Sequence, residues 1–453
     1  MTPFIAGRVI SPLLEFSLRR NTFGIARQME KTQWLTTQKL RDIQLEKLRS
    51  LVGAALEHTE YYAKFAGVDK SWRPASLDDI RRLPLMDKLT LNSHREELTN
   101  RTVRGGVIKS STGGSSGYPL IFYMDRRRQA WDKAARIRSH EWFGISHGMR
   151  EAYVWNSPIE LSRNDRLKHF RDWLINERLF AAYDLCEENI AAYVQKLKRF
   201  RPSCVFGYPS SMHLLCMLAE GAGLRLDDIG VKVVFSTAEV LYEHQREVIS
   251  RAFGGVPVAD GYGSREAGFI AHQCPYGGMH ITSENVIVEI LRNDGTAATA
   301  GEDGEIVVTQ LDNYAMPFIR YRTEDVGQLR AGVCRCGRGL ELMQVVQGRC
   351  NDFLITPHGR RIHSSAVHAM IRVEPGVVKF QVRQAADGSV KIMLVTDEQF
   401  SRDAGERIRR KMLERLGPDG IAAVEYCKDI PLPKSGKYRY VISELSAMTG
   451  HED

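Results

Sequence analysis

The sequence contains no apolar run long enough to cross a lipid bilayer. Its first residues also lack the pattern of a signal peptide, because Gly7, Arg8 and Pro12 break the apolar runs there into short pieces. An amphipathic segment at 9–18 could touch a membrane, although packing on the body of the protein is the simpler expectation. We therefore predict a cytoplasmic protein without a transmembrane segment.

A clustered basic stripe is missing as well. The 453 residues carry a net charge of +8, with 43% hydrophobic and 26% charged residues, which is ordinary for a globular protein of two or three domains. Short basic runs such as Arg126–Arg128 are predicted to be solvated faces. We therefore expect no nucleic-acid partner, whereas the positive charge suits an anionic ligand such as a nucleotide.

Glycine and hydroxyl side chains are concentrated in one stretch, 109–120, which lies between two apolar runs. This pattern predicts a β-hairpin whose loop could surround a phosphate with backbone N–H groups and hydroxyls. The loop lacks the Gly-Lys-Ser/Thr ending of a P-loop, and a flexible surface loop is the alternative. The candidate phosphate-binding residues are Thr112, Gly113, Gly114, Ser115, Ser116 and Gly117.

Strands and helices alternate through the middle of the chain, which predicts a parallel or mixed α/β sheet. Polar turns follow three of these strands, at 207–210, 236–239 and 261–266. In such sheets, ligands bind beyond the carboxyl ends of the strands. The three turns are therefore the predicted edges of a ligand site.

The predicted secondary structure changes after residue 284 and again after residue 348. Short alternating strands from 284 predict a β-rich subdomain, and the small elements after 348 predict a compact α+β domain. The predicted fold class is α/β, with a large N-terminal domain and a small C-terminal domain. We predict a helical N-terminal segment of the large domain at 1–104, its nucleotide- and acid-binding part at 105–347, and a mobile C-terminal domain at 348–453.

Six motifs in this order resemble those of the adenylate-forming superfamily of acyl-CoA synthetases and related ligases. Within it, the chain is similar to the phenylacetate–CoA ligase and CapK branch, which includes members associated with capsular polysaccharide biosynthesis. The resemblance covers nearly the whole chain, from about residue 40 to Lys437. The motifs are the glycine loop, Ser236–Glu239, Tyr262–Glu266, Tyr321–Asp325, Gly348–Asp352 and Pro433–Lys437.

The resemblance implies an ATP site. The glycine loop would act through hydroxyls and backbone, because Tyr118 stands where the family often has a lysine. Tyr262 would stack on the adenine, and Asp325 would accept hydrogen bonds from the ribose hydroxyls. The other implied nucleotide-binding residues are Ala238, Glu239, Gly263, Ser264 and Arg349.

The resemblance also implies how the site would act. Glu266 would hold Mg²⁺, and Lys437 would stabilise the negative charge that develops when a carboxylate attacks the α-phosphate of ATP. Arg265 replaces the threonine of the family motif and could supply a second cation. Asn351 stands at the hinge about which the small domain of the family turns.

Cys274, His280, Cys334 and Cys336 form a second constellation. Three thiolates and one imidazole are the donor set of a closed, tetrahedral, structural zinc site. Buried thiols with a solvated histidine are the alternative reading. Some relatives in this branch carry a similar zinc site, which favours Zn²⁺.

The acid-binding residues are the least defined. Phe206, Tyr208 and Pro209 could line a pocket for an aryl acid, but they could equally belong to the core.

The predicted function is an ATP-dependent ligase that converts a carboxylic acid to an acyl-adenylate, releases pyrophosphate and transfers the acyl group to CoA. An amine acceptor, such as an amino sugar or amino acid, and a nucleotide-binding scaffold without turnover are the alternatives. The acid, the acceptor and the oligomeric state, a homodimer included, stay open.

Overall fold

The computed structural model describes residues 1–112, 120–155, 165–182, 185–347, 353–363, 367, 370–371, 373–431 and 439–445. The chain divides into two compact units, of which the first is formed mainly by Met1–Thr323 and Gly327–Val346 and the second mainly by Gln347–Pro433. Their combination of a mixed α/β unit and a small α+β unit confirms the predicted fold class.

Helices form the N-terminal part of the first unit. The helical region at 37–65 is interrupted at Thr59, whose backbone is extended and whose hydroxyl caps the second helix by accepting from Tyr62 N. None of the described helices is both long and apolar enough to cross a membrane. The helices are a π-helix Ile5–Ile10 continuing into α1 Ser11–Ser17, α2 Thr22–Thr32, α3 Thr37–His58, α4 Glu60–Phe65, a 3₁₀ helix Leu77–Arg82 and α5 Lys88–Ser93.

Two strands on either side of the glycine stretch, β1 (Ile108–Ser111) and β2 (Ile121–Met124), pair in antiparallel fashion. This agrees with the two strands predicted there; residues 113–119 between them lie outside the described residues. The helix α6, Arg126–Glu141, follows directly, and Asp125 caps it by accepting from Arg128 N at 2.8 Å.

An eleven-stranded sheet spans the first unit, with the order β10-β11-β12-β13-β9-β8-β7-β6-β5-β3-β4. Strands β4, β3, β5, β6 and β7 are parallel neighbours, whereas β8 and β9 continue the sheet in antiparallel fashion. The strands of the predicted β-rich subdomain are thus part of this same sheet. The ranges are β3 Glu151–Trp155, β4 Glu177–Ala181, β5 Cys204–Gly207, β6 Val233–Thr237, β7 Val258–Ser264, β8 Gly268–Gln273, β9 Met279–Ile281, β10 Val286–Leu291, β11 Gly304–Gln310, β12 Tyr321–Arg330 and β13 Leu342–Gln347.

Helices connect the parallel strands: α7 Asp165–Leu174, α8 Ile190–Phe200, α9 Pro209–Gly221 and α10 Glu243–Ala252. Strand β5 is buried over its whole length, as expected for a parallel strand covered on both faces. Its apolar neighbours on α8 and α9 form one core cluster, which includes Val194, Leu197, Leu215 and Val205.

The second unit has its own core and sheets. Strands β14 (Phe353–Ile355) and β15 (Arg361–His363) pair with each other, and a second sheet has the order β18-β17-β16-β19. Its strands are β16 Val377–Gln384, β17 Val390–Thr396, β18 Ala422–Tyr426 and β19 Val441–Ser443, with the helix α11 at Arg402–Leu416. Phe380, Ile392, Leu394 and Ile408 are fully buried there.

Gly268, at the start of β8, provides a test of this packing. Its φ is +78°, and a Cβ there would lie 2.5 Å from Asp132 Oδ1, which also accepts from Phe269 N. We expect Gly268→Ala to lower the free energy of unfolding by at least about 2 kcal/mol, from backbone strain and overpacking together. Gly255→Ala is the matched control, because Gly255 has φ +82° with nothing within 4 Å of an added Cβ. Equal losses in urea unfolding would contradict the close approach at Gly268.

Candidate active site

The first two predicted polar turns lie at the carboxyl ends of the neighbouring parallel strands β5 and β6. The prediction of a turn at 261–266 was wrong for 261–264, because these residues extend β7 and pair with β8; only Arg265 and Glu266 follow the strand. Glu239 Oε2 accepts a hydrogen bond from Ser210 N at 3.2 Å, which joins the first two turns. Ala238 has a φ of +68°, a left-handed conformation that is unusual for a residue with a side chain. Such backbone outliers cluster at functional sites.

Arg265 lies against the base of the glycine hairpin. Its Nη1 donates to Ser111 O at 3.2 Å. The described end of that hairpin closes at Thr112, whose N donates to Leu120 O at 2.9 Å and whose Oγ1 accepts from Leu120 N at 3.0 Å. The third motif therefore lies against the base of the hairpin that carries the first, although Ser111 and Arg265 are 154 positions apart in the sequence. The predicted loop residues Gly113, Gly114, Ser115, Ser116 and Gly117 lie outside the described residues.

A buried arginine that the sequence analysis assigned to a solvated face holds this turn. Arg128 is 2% exposed, and its Nη2 donates to Arg265 O at 2.5 Å. Its Nε lies 3.3 Å from Asp132 Oδ2. The prediction for the run at 126–128 was wrong for this residue because the guanidinium has a carboxylate and a carbonyl as buried partners. The neighbouring Asp125, which lies between the hairpin and the helix, was the available signal of an inward-facing first turn.

Glu266 and Tyr262 are each oriented by the strand β12. Tyr321 OH donates to Glu266 Oε1 at 3.3 Å, and the Tyr321 side chain is fully buried. Tyr262 OH donates to Thr323 Oγ1 at 3.3 Å, and Thr323 in turn donates to Ile306 O at 2.8 Å. The two predicted ligand-contacting side chains are thus fixed from one strand.

The other predicted nucleotide-binding residues lie on β7 and β12 or outside the described residues. Ser264 Oγ accepts from Ala267 N at 3.0 Å, and Gly263 lies opposite Phe269 in the pairing of β7 with β8. Asp325 lies on β12, directly after Glu324, whose φ is +64°. A φ in this range favours glycine, yet glutamate stands here. Arg349, Asn351 and Lys437 lie outside the described residues.

A small cavity lies at the ends of β5, β6 and β7. Phe206 and Phe235 contribute aromatic walls, and His140 is stacked on Phe235 with ring centroids 4.0 Å apart. The predicted acid-pocket residue Phe206 is therefore a cavity residue. Tyr208 is instead buried against Trp155, with ring centroids 4.3 Å apart, and Pro209 is the first residue of α9.

The predicted metal ligands come together in the described structure. The ligand atoms of Cys274, His280, Cys334 and Cys336 all lie within 4.8 Å of one another. Within this cluster, Cys274 Sγ lies 3.6 Å from Cys334 Sγ, and Cys336 Sγ lies 3.2 Å from His280 Nε2. Burial is the largest influence on the Cys274 thiol and raises its pKa to about 12.

Comparison with known proteins gives concordant matches. Residues 354–444 match the family model of the CapK C-terminal domain. The chain is 22% identical to Protein CapK of Staphylococcus aureus, over 90% of each sequence. It is 25% identical to phenylacetate-coenzyme A ligase of Thermus thermophilus, over 90% of this chain and 97% of that enzyme.

A solved structure of similar fold is 2-hydroxyisobutyryl-CoA ligase in its postadenylation state, in complex with R3-HIB-AMP. The match has a TM-score of 0.73 and 18% identity, and it covers 93% of each chain.

The chain is a homologue of CapK and of the phenylacetate–CoA ligases, with the adenylate-forming fold. The predicted resemblance is thereby confirmed. The phenylacetate–CoA ligase relatives also support an AMP-forming ligase, as the sequence predicts. The acid and the acyl acceptor are finer questions that the matches do not answer.

Burial shifts the pKa values of three polar groups that line the cavity of this ligase homologue. Burial, followed by the charge of Arg138, lowers the pKa of His272 to about 3, and burial with the charge of Arg136 lowers the pKa of His140. Both imidazoles are therefore neutral at pH 7. Burial raises the pKa of Asp260 to about 6, although Arg246 and hydrogen bonds from Gly261 N and Ser236 Oγ oppose this.

The Asp260 carboxyl predicts a pH dependence of stability. Its pKa in the folded protein, about 6, lies above the ordinary value of 3.8 for an aspartate, so the folded state binds more protons between these values and loses stability as the pH rises. Asp260→Asn removes this loss, and we expect its stability relative to the unmutated protein to rise by about 1 kcal/mol between pH 5 and pH 7. Urea unfolding at both pH values measures the difference. A pH-independent difference would show that Asp260 has an ordinary pKa.

Proposed function

We propose that the protein is an ATP-dependent ligase that activates a carboxylic acid as an acyl-adenylate and then transfers the acyl group to CoA. The observation that carries the proposal is the contact of the Arg265 guanidinium with Ser111 O, at the base of the glycine hairpin. It links the loop suited to phosphate with the turn that bears Glu266. Tyr321, the first residue of the fourth motif, donates a hydrogen bond to Glu266 and therefore lies at the same site.

In the first half-reaction, a carboxylate oxygen of the acid attacks the α-phosphorus of ATP. The bond from that phosphorus to the bridging oxygen breaks, and pyrophosphate leaves. Two anions approach each other in this step, so cationic groups that await the developing charge lower its barrier. Arg265 is one such group, and Lys437 is proposed as the second.

Glu266 is the proposed Mg²⁺ ligand. One carboxylate together with phosphate oxygens is a usual donor set for this ion, which would neutralise phosphate charge. The bond from Tyr321 OH fixes the carboxylate before ATP binds. Tyr262, held by Thr323, is proposed to stack on the adenine, and Asp325 to bind the ribose.

In the second half-reaction, the sulfur of CoA attacks the acyl carbon, the thiol proton is lost and AMP leaves. We propose that the acyl group binds beyond the carboxyl ends of β5 and β6, because the cavity between Phe206 and Phe235 has room for only about one water molecule. An amine would attack the same carbon and give an amide, so the acceptor decides between the two ligase types. A scaffold without turnover would perform neither step.

Pyrophosphate release from ATP tests the function, with aryl, aliphatic and hydroxy acids and with or without CoA. Acid-dependent release that CoA turns into steady turnover is the expected result. Release limited to one equivalent until an amino sugar or amino acid is added would identify an amine acceptor. If no acid gave release, calorimetry with ATP would separate a silent scaffold, which binds ATP, from a protein that does not use ATP.

Lys437→Ala is expected to slow acid-dependent pyrophosphate release by about 100-fold or more, the usual cost of losing one group that stabilises transition-state charge. Lys428→Ala is the matched control, because Lys428 is an exposed lysine of the same C-terminal region. We expect the control to retain the rate of the unmutated enzyme. Equal rates for the two variants would contradict the proposed role of Lys437.

We further propose that Cys274, His280, Cys334 and Cys336 bind a structural Zn²⁺. A tetrahedral site with Zn–S bonds of about 2.3 Å places its sulfur atoms about 3.8 Å apart, and the observed Cys274–Cys334 separation is 3.6 Å. With four protein ligands, the ion would have no position left for substrate. It would join the turn after β8 to the segment after β12 and stabilise the fold there.

Metal analysis of the purified protein should give about one equivalent of zinc, and Cys336→Ser should lose most of it, because a four-ligand structural site needs each donor. Cys427→Ser is the control, since Cys427 lies outside the cluster. Less than about half an equivalent in the unmutated protein, or full zinc in Cys336→Ser, would refute the site.

A further inference from the structure

The N-terminal helical segment, Ile5–Ser17, has its apolar and polar faces reversed. A helix on the surface of a globular protein usually buries its apolar face and exposes its polar one. Here the buried residues are the small or polar Ala6, Gly7, Ser11 and Glu15.

The exposed side chains of the same segment are large and apolar. Phe16 is 82% exposed, and Leu13 is 64% exposed. Ile5 and Val9 also face outward, and Phe4, just before the helix, is 70% exposed. Single exposed apolar residues are ordinary, but five within 13 residues on an otherwise packed helix require a partner.

The orientation of the helix is fixed by close contacts. A Cβ at Gly7 would collide with the His147 carbonyl, and one at Gly148 would collide with Gly7 N. Glu15 Oε1 accepts from Arg20 at 2.8 Å and from Lys133 at 2.9 Å. Rotating the helix to hide its apolar face would bury side chains where only glycine fits and would break this ion pair.

Charge favours an anionic partner. In residues 1–20 the only acidic side chain is Glu15, which is buried and paired, whereas Arg8 and Arg19 are exposed beside the apolar residues. A second copy of the chain docked face to face would bring these arginines together. An anionic surface would instead pair with them.

Another pair of exposed rings lies near the start of this segment. Phe170 and Trp173 on α7 are each 58% exposed and are stacked with centroids 5.9 Å apart. The helix α7 leads to Asn176, whose Nδ2 donates to Met1 O at 3.2 Å. Aromatic rings with flanking arginines are the composition of surfaces that lie in the headgroup region of a membrane.

We propose that the exposed face of Ile5–Ser17 docks the protein on a phospholipid surface that contains anionic lipids. Phe4, Leu13 and Phe16 insert among the acyl chains near the headgroups, while Arg8 and Arg19 contact lipid phosphates. The protein lies on the membrane surface and does not span it.

Co-sedimentation with lipid vesicles tests the proposal on the full-length protein. One set of vesicles contains phosphatidylcholine alone, and the other contains phosphatidylcholine with phosphatidylglycerol. We expect binding to the second set, weakened by added salt, and at least about tenfold weaker binding for the Leu13→Ser/Phe16→Ser variant. Leu89→Ser is the matched control, because Leu89 is 66% exposed on a different helix.

Unchanged thermal unfolding midpoints would show that the exposed substitutions leave the fold intact. Absence of vesicle binding by the unmutated protein would overturn the proposal, as would equal binding by the Leu13→Ser/Phe16→Ser and Leu89→Ser variants. Light scattering adds one further outcome. A dimer that dissociates only in the Leu13→Ser/Phe16→Ser variant, without vesicle binding, would assign this face to a second copy of the chain.

Discussion

The ion pairs of the helix α6 hold the large sheet and the Arg265 turn of the first unit together. Arg138 pairs with Glu284 at 2.7 Å, and Arg136 pairs with Glu177 at 2.8 Å. Near the other end of the helix, Arg128 pairs with Asp132 and donates to Arg265 O. Arg138 and Glu284 are both buried, and breaking a buried pair typically costs about 3–5 kcal/mol, because the remaining charge keeps no partner. The helix therefore fixes the large sheet and the Arg265 turn in one arrangement.

The same helix shows where sequence reasoning succeeds and where it fails. The paired strands before it, and the alternation of strands and helices after it, follow from local sequence patterns. Burial of Arg128 does not follow, because its partners include a carbonyl 137 residues away. Long-range partners of charged residues are set by the tertiary fold and leave no periodic signal in the sequence.

The candidate site likewise contains residues that the sequence predicts and partners that only the structure shows. Ordered motifs and donor types were enough to name Arg265, Glu266 and the four metal-binding candidates. The residues that orient them, such as Tyr321 and Thr323, lay within a recognised motif, but their partners could not be read from it. The neutral imidazoles of His140 and His272 depend on burial by several elements at once, which only the assembled sheet provides. The exposed apolar face of Ile5–Ser17 could not be predicted either, since the sequence of this helix does not reveal which of its faces packs inward.

Two of the six non-glycine residues with positive φ in the described part of the chain belong to the proposed nucleotide motifs. Ala238 and Glu324 both have positive φ, at +68° and +64°, without being glycine. Each such conformation costs about 1–2 kcal/mol, which the surrounding structure must offset. Both residues belong to motifs that the resemblance assigns to nucleotide binding, so the cost falls where the geometry of the turn matters for function.

The proposed reaction begins when a carboxylate attacks the α-phosphorus of ATP. Its most direct test is to supply an acid labelled with ¹⁸O in both carboxylate oxygens and to locate the label by mass spectrometry after turnover. Attack at the α-phosphorus followed by acyl transfer predicts one labelled oxygen in AMP. Label in inorganic phosphate, with ADP as the nucleotide product, would contradict the account.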